Sequence, residues 1–354
     1  MGIPTTSDLC LDPSRFDRTP VGRQPLAALV CPTGPGVEKR SWHVRYHVSV
    51  APRAMNVGQN FVNWLCLSLV CAFSLATSDA LSKKYLQGYS AEELVVVRFA
   101  YSGALLTPWL LAHSIPAVPP AFWLWVGCAI PLEIVAMLLY MKAVRDAPLS
   151  LSQPLLAFTP VFTVPIALVL LGERVSREGL LGIGLVVLGT FILNLEDVRG
   201  GWRSLGAPFR ALAQQEGAKL MLTVAVIYAV TSVLGKAALQ YMPASIFGAF
   251  YFVLIGTISL LLFLARRPAT GRVLIRRPFL HLMIGGLFAF MIYTHFLAIE
   301  KVEASYMIAV KRTSILFSVI YGSVFFGEPG LPRRLLSAAI MVAGVAVIVL
   351  KGHA

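Results

Sequence analysis

Long apolar runs separated by short polar breaks constrain this chain more than any other feature of its sequence. Ten such runs lie between about residues 60 and 350. A hydrocarbon core of ~30 Å needs about 20 apolar residues per helix, and the runs have about that length. Strands of a membrane barrel would need roughly 10-residue segments of alternating polarity, and these runs do not alternate. The sequence therefore predicts an all-α polytopic membrane protein with ten transmembrane helices, at residues 61–82, 91–112, 120–141, 148–171, 178–195, 220–240, 243–264, 279–299, 304–326 and 333–350.

The small number of charged residues excludes a soluble domain. Charged side chains make up 13% of the chain, whereas a soluble domain needs roughly a quarter to keep its surface hydrated. The net charge of +13 would suit a nucleic-acid partner, but most Lys and Arg residues fall in the breaks between spans. Lipid headgroups and water stabilise cations at those depths. We therefore expect membrane lipid, and no nucleic acid, as a partner.

Motifs of catalysis, nucleotide binding and metal binding are missing from the sequence. The chain has no HExxH, no GxSxG and no pair of intramembrane aspartates. Gly235-Lys236 is followed by Ala, so the chain also lacks the phosphate-binding loop GxxxxGK(S/T). The five cysteines form no CxxC pair, the spacing that zinc sites usually need. The sequence thus predicts no enzyme, no cofactor and no metal site.

Residues 1–54 differ in composition from the rest of the chain. They hold seven Pro and seven Arg or Lys, and no apolar run long enough to span a membrane. Such a composition favours disorder. Met55 lies six residues before the first span. We therefore expect residues 1–54 to be an extension that the working protein lacks, with a regulatory tail as the alternative.

The chain contains an internal duplication. Residues 140–195 align without a gap on the segment 155 residues later, and twelve of the 56 positions are identical. The clearest match is Gly172-Glu173 with Gly327-Glu328, at the ends of the fourth and ninth spans. Each half has five spans, an odd number, so the halves must enter the membrane in opposite directions. Inverted repeats of this kind build secondary transporters with the substrate site between them.

These features divide the chain into four segments. They are a tail at 1–54, a first repeat of five helices at 57–197, a connecting loop at 198–218 and a second repeat of five helices at 219–351.

The two halves resemble the EamA-type branch of the drug/metabolite transporter superfamily. The resemblance covers residues 57–351 and implies that spans one to four and six to nine surround a central cavity, with spans five and ten outside it. It rests on the spacing of several short motifs taken together. They are Arg98-Phe99, Gly172-Glu173 before the Gly182…Gly189 span, Lys311-Arg312, and Gly327-Glu328 before the Ala343-Gly344 span.

The resemblance implies a function. It implies a multi-pass transporter of the inner cell membrane that exports or exchanges a small metabolite by alternating access, without ATP hydrolysis. A lipid-linked or nucleotide-sugar carrier of the same superfamily is the alternative among transporters, and an intramembrane enzyme is the alternative from another class. We expect a monomer or a homodimer. Small residues such as Gly182 and Gly189 are expected to pack spans five and ten together within one chain.

Five ionisable side chains lie deep inside the predicted spans: Asp79, Arg98, Glu133, Lys311 and Arg312. Each such group costs about 2.5–3.5 kcal/mol on insertion scales, so each needs a reason to be there. One hypothesis is that the three cations bind an anionic or zwitterionic substrate, since Arg suits carboxylate and phosphate groups. The alternative is that Arg98 or Arg312 forms an internal ion pair with Glu133 or Asp79. Glu133 is then either a proton carrier or an ion-pair partner.

The fourth predicted span is unusually rich in proline. It carries Pro154, Pro160 and Pro165, next to Gln153. Each interior proline removes a backbone hydrogen bond and bends the helix, and free carbonyls at depth need a wet or protein-lined cavity. We therefore expect a broken helix that lines the cavity, with Gln153 contacting substrate. The ninth span has no proline, and its Tyr306 is expected to line the same path.

Loop charge and the resemblance disagree about the orientation in the membrane. The loops after odd-numbered spans hold fifteen Lys or Arg, whereas the even loops and the flanking ends of the bundle hold seven. The positive-inside rule then places the odd loops in the cytoplasm and both ends outside. The resemblance implies both ends inside. We expect the orientation that the charges indicate.

Overall fold

The structure is a computed structural model that describes residues 57–146, 153–193, 216–326 and 331–351. Throughout these ranges the regular secondary structure is helical, so the predicted all-α class is confirmed. The predictions for the tail at 1–54 and for Glu328 fall outside the described residues.

The first repeat contains five α-helices and one short 3-10 helix. They are α1 (Val57–Tyr85), α2 (Ala91–Leu111), α3 (Pro120–Asp146), a 3-10 helix (Gln153–Phe158), α4 (Thr159–Leu171) and α5 (Arg177–Leu193). The second repeat follows the same order with two additional short elements. It contains α6 (Glu216–Ala238), α7 (Ala244–Arg266), a 3-10 turn (Pro268–Thr270), α8 (Gly271–Leu274), α9 (Pro278–Ile299), α10 (Ala304–Lys311), α11 (Ser314–Phe326) and α12 (Leu331–Lys351).

Six of the described helices are long and apolar enough to cross a membrane: α1, α2, α3, α6, α7 and α9. Two shorter apolar helical segments, Leu155–Leu171 and Leu336–Leu350, lie where the fourth and tenth spans were predicted. The protein is therefore a polytopic helical membrane protein. A total of ten crossings stays a prediction.

Local sequence signals set the start of α2 and the end of α4. Ser90 caps α2 with a capping box, in which its side chain accepts from the Glu93 backbone N–H while the Glu93 carboxylate accepts from the Ser90 N–H. The helix α4 ends at Gly172, whose φ of +70° is the left-handed region that favours glycine. Gly172 thus stops the helix and puts Glu173 directly beyond its end.

Helix packing repeats between the two halves. The helix α3 packs on α6 in the way that α1 packs on α9, while α2 packs on α7 and α5 on α12. If each helix is replaced by its counterpart in the other repeat, the α3–α6 pair becomes the α9–α1 pair, whereas the α2–α7 and α5–α12 pairs stay the same. The helices α4 and α11 also start 155 residues apart and end 155 residues apart, which is the offset of the sequence duplication. The packing therefore follows the two-repeat pattern of the sequence.

Glycines allow close approach where a helix packs on its own counterpart from the other repeat, as α2 does on α7 and α5 does on α12. A Cβ on Gly256 in α7 would lie 2.5 Å from the Phe99 carbonyl oxygen of α2, and one on Gly103 would lie 3.0 Å from the Phe252 oxygen. Between α5 and α12, a Cβ on Gly182 would lie 2.8 Å from the Gly344 oxygen. Backbone therefore meets backbone at both crossings, as in the small-residue interfaces of membrane helices.

We expect Gly256→Ala to lower the melting temperature of the detergent-solubilised protein. The added methyl group meets backbone, which cannot rotate away, and such overpacking typically costs about 1–3 kcal/mol. Gly184→Ala is the control, because a Cβ there has no neighbour within 4 Å and both changes gain the same helix propensity. Equal melting temperatures for the two variants would contradict the close α2–α7 crossing.

Candidate functional site

A cavity lies between the two repeats, and both repeats contribute to its wall. Aromatic and aliphatic side chains make up much of the lining, with a few polar groups among them, as is usual for small-molecule sites. The polar and ionisable residues of the wall include Arg98, Glu133, Tyr140, Tyr228, Thr231, Tyr251, His295, Lys311 and Arg312. The cavity thus contains all three predicted cations and Glu133.

The ninth span breaks at this cavity, which the sequence did not predict. The helix α10 ends at Lys311, and α11 begins at Ser314. Across the break the hydrogen bonds shorten to three-residue spacing, from Thr313 N–H to the Val310 oxygen at 3.0 Å and from Ile315 N–H to the Arg312 oxygen at 3.0 Å. The fourth span is broken as expected, and Leu156 of its 3-10 helix lines the cavity.

Arg98 forms a buried ion pair with Asp79. Its Nη2 donates to Asp79 Oδ1 at 2.5 Å and to the Ser82 hydroxyl at 3.1 Å. The second Asp79 oxygen accepts from the Tyr140 hydroxyl. Both charged residues are almost fully buried, so each needs the other. Of the two carboxylates that the sequence left open as partners, the structure selects Asp79.

The Arg98 side chain keeps part of its hydrogen-bonding capacity. Its Nε and Nη1 atoms are buried and have no hydrogen-bond partner among the described residues. The guanidinium carbon lies 5.3 Å from the centroid of the Phe288 ring, which also lines the cavity. Asp79 therefore neutralises Arg98 without occupying all its donors.

Lys311 and Arg312 form no ion pair within 4 Å in the described part of the chain. The Lys311 ammonium lies 3.4 Å from Nδ1 of His295. Arg312 is 4% exposed, and its Nε has no hydrogen-bond partner within the described ranges. The break in the ninth span therefore places two adjacent cations in the cavity wall without a carboxylate on either.

Glu133 lies on the same wall and forms no ion pair within 4 Å among the described residues. The cavity and the Asp79 behind it then carry three cations and two carboxylates, a net charge of +1. Because the low dielectric of such a site strengthens charge interactions, a bound anion would be stabilised.

Substrate contacts were also predicted from the sequence for Tyr306 and Gln153. Tyr306 is fully buried and lies outside the described lining of the cavity. Its hydroxyl accepts from the Ser176 backbone N–H at 3.1 Å, next to Gly179 at the start of α5. The prediction that Tyr306 lines the path is therefore corrected, since the side chain packs α10 against α5. Gln153 begins the 3-10 helix, but its side chain is not among those described.

His295 is an ionisable residue of this cavity that sequence reasoning missed. It lines the wall from α9 and contacts Lys311. The signal available in the sequence was a histidine inside an apolar run. Nothing in that run indicated that the residue faced Lys311, because the two lie on different helices.

Glu173 and Lys236 form an ion pair at one end of α10. Both side chains are more than four-fifths buried. Glu173 also accepts from the Ala304 backbone N–H at 2.9 Å, and Lys236 donates to the Val302 carbonyl oxygen. We call these four residues the α10 latch. It ties the end of the fourth span and the end of α6 to the start of α10.

Comparison with solved structures supports the fold. A chain titled only "Crystal structure of protein" matches with a TM-score of 0.59 at 16% sequence identity, over 84% of this chain and 99% of that chain. At this identity the similarity concerns the fold alone. Comparison with curated proteins gave no match.

The two halves also match one family description twice. The model of the EamA-like transporter family matches residues 62–195 and again residues 215–350. The two matches together cover well over half of the chain and include every charged residue of the cavity wall. The chain belongs to the EamA-like transporter family and is a membrane transporter of the drug/metabolite transporter superfamily.

Proposed function

We propose that the protein is a secondary transporter that moves a small anionic or zwitterionic metabolite across the inner cell membrane by alternating access, without ATP hydrolysis. The observation that carries this proposal is the net positive cavity between the repeats. Substrate sites of inverted-repeat transporters lie at that position, often beside broken helices. Lys311 and Arg312 stand at such a break.

The donors of the wall fit a carboxylate or a phosphate. A guanidinium offers several N–H groups in one plane, which suits two oxygens at once. Arg312 and Arg98 each keep a buried Nε without a partner among the described residues, so neither needs to break a bond to bind an anion. Glu133 supplies an acceptor on the same wall, where it would receive the ammonium of a zwitterion.

The nucleotide-sugar carrier stays as the second candidate because of the aromatic wall. Tyr228, Tyr251, Phe252 and Phe288 line the cavity together with the cations. A nucleotide would place its base on an aromatic face and its phosphates on Lys or Arg. The two candidates therefore differ in the size of the substrate and in the presence of a base.

Metabolite profiling distinguishes these candidates. Medium from cells that overexpress the protein is expected to differ from medium of null cells in one or a few small anions or zwitterions, with the sign of the change giving the direction of transport. The compound found should then cross liposomes that contain the purified protein and no ATP. Enrichment of a nucleotide-sugar would select the second candidate, and a strict ATP requirement in liposomes would overturn the secondary mechanism.

Alternating access requires one end of the cavity to be closed by contacts that can break. The α10 latch has the position for this role. The helix α10 has eight residues, so it is roughly 10 Å long, with the latch at its start and Lys311 at its end. The break after Lys311 separates it from α11. A substrate bound at Lys311 and Arg312 therefore contacts the end of the same short helix whose start is bound by the α10 latch, so binding can shift α10 relative to the latch residues.

We expect Lys236→Gln to open the latched end of the cavity. A cysteine at Ser232, in a chain without its native cysteines, should react about tenfold faster with an impermeant thiol reagent, because losing ~1.4 kcal/mol of closed-state stability shifts the population tenfold. Ser232 lines the cavity. The measurement uses right-side-out and inverted vesicles, and only one should respond.

Two further variants control this experiment. Lys301→Gln removes an exposed lysine near the same end and should leave the rate unchanged. The exchange Glu173→Lys with Lys236→Glu should restore part of the closed state, but not the hydrogen bond that Ala304 N–H donates to Glu173. Equal labelling rates in the parent and Lys236→Gln would show that the latch does not close the cavity.

A further inference from the structure

His295 is the only histidine among the described lining residues of the cavity. It lies on α9, which packs against α1, α2, α7 and α10. Its Nδ1 atom lies 3.4 Å from the Lys311 ammonium nitrogen. A titratable ring thus contacts one of the two cations that are proposed to hold the substrate.

A hydrogen bond at this contact requires a neutral imidazole. An ammonium group has only donors, so Lys311 must donate and His295 Nδ1 must accept. The imidazole is then neutral, with its proton on Nε2. A second proton would have to occupy Nδ1, which would break this hydrogen bond and place two cations 3.4 Å apart.

Among the charged groups that face His295 from the surrounding elements, cations outnumber carboxylates. Lys311 of α10 and Arg312 at the break form no ion pair within the described residues. Arg98 of α2 forms an ion pair with Asp79 of α1. The remaining titratable groups nearby are Cys71 of α1, Tyr251 of α7, Tyr228 of α6, Tyr140 of α3 and Glu133 of α3. Without a bound anion, this excess of positive charge disfavours a proton on His295.

We propose that His295 is the proton-binding residue that couples substrate transport to the proton gradient, an inference that rests on the proposed function. A substrate anion on Lys311 and Arg312 adds one negative charge beside His295 and draws the Lys311 ammonium away from Nδ1. The freed Nδ1 then takes one proton from solvent. The loaded cavity keeps its net charge of +1, and both ligands leave together on the other side. The empty carrier returns with a neutral imidazole.

Binding of the anion and of the proton strengthen each other equally, because coupling between two sites is reciprocal. The carrier therefore moves an anion and a proton in the same direction. Glu133 was named from the sequence as a possible proton carrier. Assigning the proton to His295 or to Glu133 predicts different effects of Glu133→Gln on the coupling. If His295 holds the proton, Glu133→Gln leaves the coupling in place.

The chain offers a matched control on the same helix. His281 is also buried in α9, but its ring nitrogens lie 3.3 Å from the Leu274 carbonyl oxygen and 3.3 Å from the Tyr89 hydroxyl. Neither the ring nor these partners belong to the described lining of the cavity. His281→Gln therefore removes a buried histidine without touching the proposed proton site.

Calorimetry of anion binding tests the proposal. Succinate, glutamate and inorganic phosphate are titrated into purified protein at neutral pH, in two buffers with different ionisation enthalpies, which gives the number of protons bound with each anion. With succinate and glutamate, we expect about one proton per anion for the parent and His281→Gln, with affinity falling about tenfold per pH unit above the optimum. Glu133→Gln should keep this proton uptake with succinate, which has no ammonium for Glu133 to receive. His295→Asn should bind the anion with no proton uptake, because its amide oxygen accepts from Lys311 but cannot be protonated. His295→Gln replaces this variant if the asparagine form does not fold.

Each outcome decides between the proposals. Loss of proton uptake in the His295 variants alone supports the coupling. Binding with unchanged proton uptake in those variants overturns the role of His295 but leaves the anion site standing. Loss of proton uptake in Glu133→Gln would transfer the role to Glu133. Absence of binding by the parent for all three anions would overturn the anion-binding cavity and this inference with it.

Discussion

Asp79→Asn is expected to lower the free energy of unfolding by about 3–5 kcal/mol, because removing one partner of a buried ion pair leaves the other charge uncompensated. Arg98 is 1% exposed and lies 2.5 Å from Asp79, so it cannot turn to water. The Tyr140 hydroxyl loses its charged acceptor in the same step. Thermal unfolding in detergent, followed by intrinsic fluorescence, measures the effect.

Two further variants separate the destabilising effect of the uncompensated Arg98 charge from other effects of losing a carboxylate. Glu92→Gln removes a carboxylate that lies 3.9 Å from a largely exposed Arg267, and such surface pairs contribute only ~0–1 kcal/mol. Arg98→Gln, added to Asp79→Asn, removes the stranded cation and should recover part of the stability. A melting temperature of Asp79→Asn equal to that of the parent would show that Arg98 finds another partner.

The fold class was predictable because apolar length is a nearly sufficient signal for membrane helices. The two-repeat organisation was visible in Gly172-Glu173 and in the offset of 155 residues, at which α4 and α11 both begin and end. The break in the ninth span was not predictable, since it carries no proline. There α10 ends at Lys311 and α11 begins at Ser314, with no proline or glycine between them.

The set of charged residues was predictable, but their partners were not. A charge inside an apolar run is visible in the sequence, whereas the choice of Asp79 over Glu133 for Arg98 depends on how α1, α2 and α3 pack. Tyr306 shows the opposite error. It was expected to line the substrate path, but on α10 its side chain points to Ser176 at the start of α5.

Arg312→Gln is expected to weaken substrate binding by about 1.5–3 kcal/mol, or roughly 10- to 100-fold, because it removes a charged donor from a site with few alternatives. The bundle should still fold, since Gln is cheaper to bury than an unpaired charge. Concentration dependence of uptake into liposomes, for the compound identified by profiling, gives the apparent affinity. Arg145→Gln is the control, because Arg145 is exposed at the end of α3 and pairs with Asp146.

If Arg98, Lys311 and Arg312 bind the substrate anion, their substitutions should weaken binding to different degrees. Arg312→Lys keeps the charge but loses the planar pair of donors, so its affinity should lie between those of the parent and Arg312→Gln. Lys311→Gln should weaken binding by a similar factor to Arg312→Gln. Arg98→Gln should weaken it less, because Asp79 already holds one edge of that guanidinium. Unchanged affinity in Arg98→Gln, Lys311→Gln and Arg312→Gln together would mean that the cations only hold the helices in place, and the substrate would then have to bind elsewhere in the bundle.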